Sequence, residues 1–304
     1  MKTMSSSAYH TPVLLHAAVN GLEIQPTGNY VDVTFGGGGH SRKILEQLTT
    51  GKLFGFDQDP DAKNNVPSNE NFVFVPQNFC YLSNYLRFYG ANQVNGILAD
   101  LGVSSHQFDD ASRGFSIRND AFLDMRMNKN QELSAIDVIN DYPEEKLKYI
   151  FKTYGELQHG TNVAKMIVKA RTNASINTTR DLVDALSQMI PKKNEKQFLA
   201  QVFQAIRIEV NGELDVLEDF LKQALDFLQP GGRLVVISYH SLEDRLVKNF
   251  MRTGKMEGEV EKDFYGNPIT PFELITKKPM IPTAEEIEQN PRARSAKLRI
   301  AEKK

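Results

Sequence analysis

The sequence predicts an α/β fold: a mainly parallel sheet interrupted by an all-helical insertion. Short β-branched runs alternate with helix-compatible segments as far as Asp100. That alternation then stops for about a hundred residues, too long a gap for an ordinary loop, and helical periodicity fills it. It resumes with a helix, a Pro-Gly-Gly turn and another apolar strand. Such alternation argues for right-handed βαβ connections and parallel pairing. A chain of 304 residues can hold two domains, or one domain with a large insertion.

NYVDVTF (29–35) reads as the first strand, and the helix after it carries Ile44, Leu45 and Leu48 on one face. KLFGFD (52–57), NFVFV (71–75) and NGILAD (95–100) give the next three strands. Within the insertion, placed at 108–207, helices are expected over 143–154, 162–171, 179–190 and 195–209. Pro143 suits a first turn, Thr179 and Asp181 a helix start, and Pro191 a stop. ELDVLEDFLKQALDFL (213–228) is a further helix, PGG (230–232) a turn and RLVVIS (233–238) the fifth strand. Ser241 and Asp244 have the spacing of a capping box for the helix that follows. FELIT (272–276) and AKLRIAE (296–302) can form an antiparallel pair.

Thirty-six basic residues against 38 acidic ones give a formal charge of −2, so nucleic-acid binding would have to come from local patches. One cysteine, Cys80, and no His-rich cluster leave neither an internal disulfide nor a structural metal to be expected. No apolar run approaches the roughly 20 residues that cross a bilayer, and the first residues lack a secretion signal. The expectation is a soluble cytoplasmic protein with no membrane partner.

The first candidate site is Gly36-Gly37-Gly38-Gly39-His40-Ser41, between the first strand and its helix. Glycines there permit a sharp turn and close approach of a nucleotide-like ligand, although a glycine cluster also serves as a plain tight turn. The dinucleotide fingerprint fails in both registers, because Ser41 or Arg42 stands where its last glycine belongs. A P-loop pattern is absent too. Asp57 ends the second strand 21 residues after Gly36, where a carboxylate can accept hydrogen bonds from ribose hydroxyls, and Asp100 ends the fourth. Either acid could instead cap a helix.

This combination resembles a class I S-adenosylmethionine-dependent methyltransferase. VDVTFGGGGHS (31–41), DLGVSSHQFDDASRGFS (100–116), LDMRM (123–127), FQAIRIEVNGEL (203–214), PGGRLVVISYHSLEDRLVK (230–248) and NPRARSAKLRIAE (290–302), with HTPVLLHAAVNGL (10–22), are similar to the MraW/RsmH family nearly end to end. The resemblance implies a Rossmann-like, mainly parallel seven-stranded sheet with an antiparallel C-terminal strand. Residues 1–107 and 208–304 would form the cofactor-binding domain, and 108–207 an RNA-recognition insertion. It further implies methyl transfer from S-adenosyl-L-methionine to the N4 amine of a cytidine in the decoding (P-site) region of 16S rRNA. The substrate would be the small ribosomal subunit or a late assembly intermediate, with a homodimer as one possible assembly. The family's cofactor contacts fall on Gly38, Gly39, His40, Asp57, Phe79, Asp100 and Gln107. Four consecutive glycines stand where relatives often carry a charged second residue.

A cytosine amine is a poor nucleophile because its lone pair is delocalised, so catalysis needs acceptors that orient it. Asp100, or a carbonyl of the turn Leu101 to Ser105, suits that task, and His240 after the fifth strand is a candidate proton acceptor or base contact. Arg113, Arg118 and Arg126 in the insertion, with Arg292 and Arg294 in a tail of six basic residues and one acid, are the expected RNA contacts. Methyl transfer to a small molecule or a protein, and a non-catalytic RNA-binding assembly factor, remain open alternatives at this point.

Overall fold

The computed structural model describes residues 12–304. The chain divides into two compact units, one running up to Gly102 and resuming at Val216, the other spanning Val103–Asp215. No helix among the described residues is long and apolar enough to cross a membrane.

The first unit is built on a seven-stranded sheet. Its strands are β1 (Tyr30–Asp32), β2 (Leu53–Phe56), β3 (Phe72–Val75), β4 (Val94–Asp100), β5 (Leu228–Ser238), β6 (Phe272–Leu274) and β7 (Lys297–Lys303). They lie in the order β3-β2-β1-β4-β5-β7-β6. The first five pair in parallel, whereas β7 runs antiparallel to both β5 and β6. The order reverses between β1 and β4, which opens a crevice at the carboxyl ends of those strands. The Pro-Gly-Gly turn is a bulge inside β5: Leu228 already pairs with Val94, and pairing resumes at Arg233 opposite Gly96.

Alternation along the strands explains both layers. Leu234 and Val236 face a core shared with Leu82 and Leu86 of helix α3 (Leu82–Phe88), Phe220 and Leu221 of the helix Glu213–Phe227, and Phe250 of the helix Ser241–Thr253. Val235 and Ile237 point the other way, against Ala18 and Val19 of α1 (Leu15–Gly21) and Ile44 and Leu45 of α2 (Gly39–Leu45).

The second unit is helical. Its elements are α4 (Ser105–Asp109), α5 (Ala135–Asp141), α6 (Glu144–Thr153), α7 (Gly160–Arg171), α8 (Thr179–Ala185) and α9 (Glu195–Asn211). The helix Glu213–Phe227 is α10 and Ser241–Thr253 is α11. The unit starts at Val103 rather than 108 and ends at Asp215 rather than 207. Val103 and Phe108 pack on the helical core, and α9 runs on to Asn211, so both ends belong to it physically. Leu147, Ile150 and Phe151 of α6 are wholly buried there with Val163, Ile167, Leu182, Val202 and Ile206. Phe151→Ala is expected to lower the stability of this unit by about 3–5 kcal/mol, the usual cost of a large cavity. A lower urea midpoint followed by circular dichroism would show it, and an unchanged midpoint would remove Phe151 from the core's supports.

Candidate active site

The site grows from the end of β1. Asp32 is fully buried and accepts hydrogen bonds from Ser41 Oγ at 2.7 Å and from the Thr34 N–H at 3.1 Å. It thereby ties the first turn of α2 to the strand, and burial raises its pKa. Between these anchors the glycine loop turns through positive φ at Gly36 and Gly38. A Cβ on Gly38 would meet the Phe35 ring at 2.9 Å, and one on Gly39 would lie 2.1 Å from Pro12 Cγ. These two glycines are therefore required by the chain's own packing, whatever the loop binds.

Asp57 sits just past β2. Its Oδ2 accepts the Gly36 N–H at 2.7 Å and its Oδ1 the Asp59 N–H at 2.8 Å, so it also holds the loop in place. Burial pushes its pKa up to about 6, against the lowering effect of those two bonds. Phe79 follows β3, half-buried, its ring edge-on to Phe220 at 5.3 Å. Asp100 ends β4. Its Oδ1 accepts the Tyr239 hydroxyl at 2.8 Å, and its Oδ2 lies 3.8 Å from His40 Nδ1. Burial drives its pKa to about 6 as well, opposed first by the His40 charge and then by the Tyr239 bond, while Asp32 and Glu243 push it up. His40 is buried, and its Nε2 donates to the Val13 carbonyl at 3.2 Å. A carbonyl only accepts, so Nε2 carries the hydrogen and Nδ1 gains one only in the cation.

Sequence reasoning placed Asp57, Asp100, His40 and the glycines in one crevice, and the structure gathers them around β1, β2 and β4. It missed Asp32 and Tyr239. An acid inside an otherwise apolar strand was the signal for Asp32; Tyr239 adjoins His240 and carried no signal of its own.

The structure corrects several expectations. His240, not Ser241, caps α11: His240 and Glu243 form the capping box. His240 Nδ1 accepts the Glu243 N–H at 3.4 Å, whereas its buried Nε2 lies 3.1 Å from Glu243 Oε1 without forming a hydrogen bond. Gln107 belongs to the helical unit, where its side-chain oxygen accepts the Ser104 N–H in the capping box of α4. Arg113 is buried, donating to the carbonyls of Arg126 and Met127, and is no surface contact for RNA. Arg126 forms a two-pronged pair with Asp124 and donates to the Gln131 carbonyl. Most of the basic tail is structural too. Lys297 and Arg299 pair with Asp244, Lys303 donates to the Leu225 and Leu228 carbonyls, and Lys304 to Thr270 Oγ1. Arg118 and Arg294 are exposed, and Arg292 is half-buried.

A doubly wound sheet closed by an antiparallel last strand, with a glycine loop and the buried acid Asp57 at its carboxyl edge, defines a class I methyltransferase, whose methyl donor is S-adenosylmethionine. The residues present suit that donor chemically. Asp32 and Asp100 lie beside the His40 imidazole and Asp57 beside Asp32, so three carboxyl groups stand ready as partners for the donor's sulfonium, ammonium and ribose diol.

The chain belongs to the MraW methylase family, whose sequence model matches residues 7–304. A protein named ribosomal RNA small subunit methyltransferase H, from Parabacteroides distasonis, is 56% identical over 299 residues and covers 98% of both chains. Its namesake from Flavobacterium johnsoniae is 56% identical over 296 residues, 97% of this chain and 98% of the other. Among solved structures, an rRNA methylase from Streptococcus thermophilus is 13% identical, with a TM-score of 0.39 over 95% of each chain.

Proposed function

We propose that this protein transfers a methyl group from S-adenosylmethionine to the N4 amine of a cytidine in the decoding (P-site) region of 16S rRNA, in the small ribosomal subunit or a late precursor of it. One observation carries the reading: identity above half, over nearly the full length, with relatives named for methylation of small-subunit ribosomal RNA. The cytidine, its N4 position and its place in the decoding region come from the motif resemblance.

In this reading the cofactor brings a methyl group on a positively charged sulfur. Asp57 would hold the ribose hydroxyls, the Gly38-Gly39-His40 backbone would bind the amino-acid portion, and Phe79 would offer a ring to the adenine. Asp100 accepts an N–H of the target amine and turns its lone pair toward the methyl group. A carboxylate that titrates near pH 6 is ionised at neutral pH and can hold the proton the amine releases. His240, which caps α11 beside Tyr239, is the other candidate for accepting that proton or contacting the base. The helical unit, with Arg118, and the tail arginines Arg292 and Arg294 supply phosphate and base contacts. The target base leaves its stack to reach the donor.

Nucleoside mass spectrometry of small-subunit rRNA tests this. Cells lacking the protein are expected to lose N4-methylation at one decoding-region cytidine, and purified protein with S-adenosylmethionine should restore it on isolated subunits. An unaltered nucleoside profile would overturn the proposal.

A further inference from the structure

Tyr239 has no part in the assignments above, yet its hydroxyl donates a short hydrogen bond, 2.8 Å, to the Asp100 carboxylate. Its placement is over-determined. β4 and β5 are neighbours in the sheet, and Tyr239 is the first residue beyond β5, as Asp100 is the last of β4. Its backbone N–H donates to Oε2 of the buried Glu243 at 2.8 Å, which fixes the turn into α11. Its ring packs on the apolar cluster that contains Val235 and Ile237. The Asp100 backbone is pinned from the other side, its N–H donating to Thr34 Oγ1 at 2.6 Å.

We propose that Tyr239 is a positioning residue for methyl transfer: its hydroxyl holds Asp100 Oδ1, so that Oδ2 is the oxygen presented to the incoming amine. This rests on the reading of Asp100 given above. The groups facing Asp100 are His40 from α2, Asp32 from β1, Tyr239 and, from α11, Glu243. His40 Nδ1 stands 3.8 Å from Oδ2, beyond hydrogen-bond reach, so the bond to Tyr239 sets the carboxylate's rotation. The phenol remains a donor throughout the working range, because burial and the Asp100 charge push its own pKa well above the ordinary value.

The test is Tyr239→Phe, which keeps the ring and its packing. A hydrogen bond to the charged form favours that form, so its loss must raise the pH at which Asp100 ionises. The Asp100 carboxyl carbon, observed by carbon-13 NMR in aspartate-labelled protein, is expected to titrate about one pH unit higher in the variant. The acid limb of the single-turnover rate profile should move up with it. The NMR midpoint is read on folded protein whether or not the variant is active. Identical midpoints and profiles in the two proteins would overturn the proposal. Asp100→Asn, assayed in parallel, separates the two readings. If that variant methylates at the wild-type rate, the role of Asp100 itself fails; if it is inactive while Tyr239→Phe titrates as wild type, only the role of Tyr239 fails.

Discussion

Asp57→Ala is expected to weaken binding of S-adenosylmethionine and S-adenosylhomocysteine alike, by about 100-fold or more at pH 8. The carboxylate already accepts the Gly36 and Asp59 N–H groups, one on each oxygen, which leaves each oxygen a second lone pair for a ribose hydroxyl. Hydrogen bonds to a charged group contribute about 1.5–3 kcal/mol each, so losing two of them corresponds to at least two decades in affinity. Truncation also strands the Gly36 N–H, and the loop loses its fixed approach. Both ligands carry the same ribose, so calorimetry should give equal losses. A loss confined to the sulfonium form would mean that Asp57 lies beside the sulfur instead. The wild-type protein should bind more weakly in acid: Asp57 titrates at about 6, the ribose favours its ionised form, and affinity should fall as pH drops through that value.

How much of this was legible before the structure depends on whether the determining contacts are local. β1 to β4 could be read because buried parallel strands are short apolar runs bounded by turn residues, and because Asp57 and Asp100 close two of them. The limits of the helical unit could not. α4 is a single capped turn of five residues, and what binds it to that unit is the packing of Val103 and Phe108 on distant helices. Charge was the least legible property. Arg113 is exposed by composition but buried in fact, because two carbonyls 13 and 14 residues onward converge on its guanidinium. Lys297 and Arg299 share Asp244, more than fifty residues earlier, once β7 lies along β5. The His240 cap went unread because serine is the commoner capping residue and one stands beside it, at position 241.

Asp100→Asn is expected to do two opposite things. Single-turnover methylation should fall by about 10²–10³-fold, since an amide neither accepts the amine's proton nor carries the charge that orients it. The ligand-free protein should become more stable at neutral pH. Asp100 titrates at about 6 in the fold, above the ordinary value of 3.8, so the folded state holds its proton more tightly than the unfolded chain does. Its ionisation therefore costs stability that is fully lost above about pH 6 and returns as pH falls toward the unfolded value. That cost is on the order of 2–3 kcal/mol. Asn removes it while still accepting the Tyr239 hydroxyl. The variant should thus exceed the wild type in denaturant midpoint at pH 7.5 and converge with it near pH 4. Asp124 and Asp244, whose arginine pairs hold their carboxyls below the usual range, lose stability in acid equally in both proteins and cancel from the difference. Measured together, a gain in stability with a loss of turnover identifies a carboxylate kept for chemistry at the fold's expense. Equal stability at both pH values, or a loss of stability at neutral pH, would show instead that the charge of Asp100 supports the fold and that the slower rate follows from a disturbed structure.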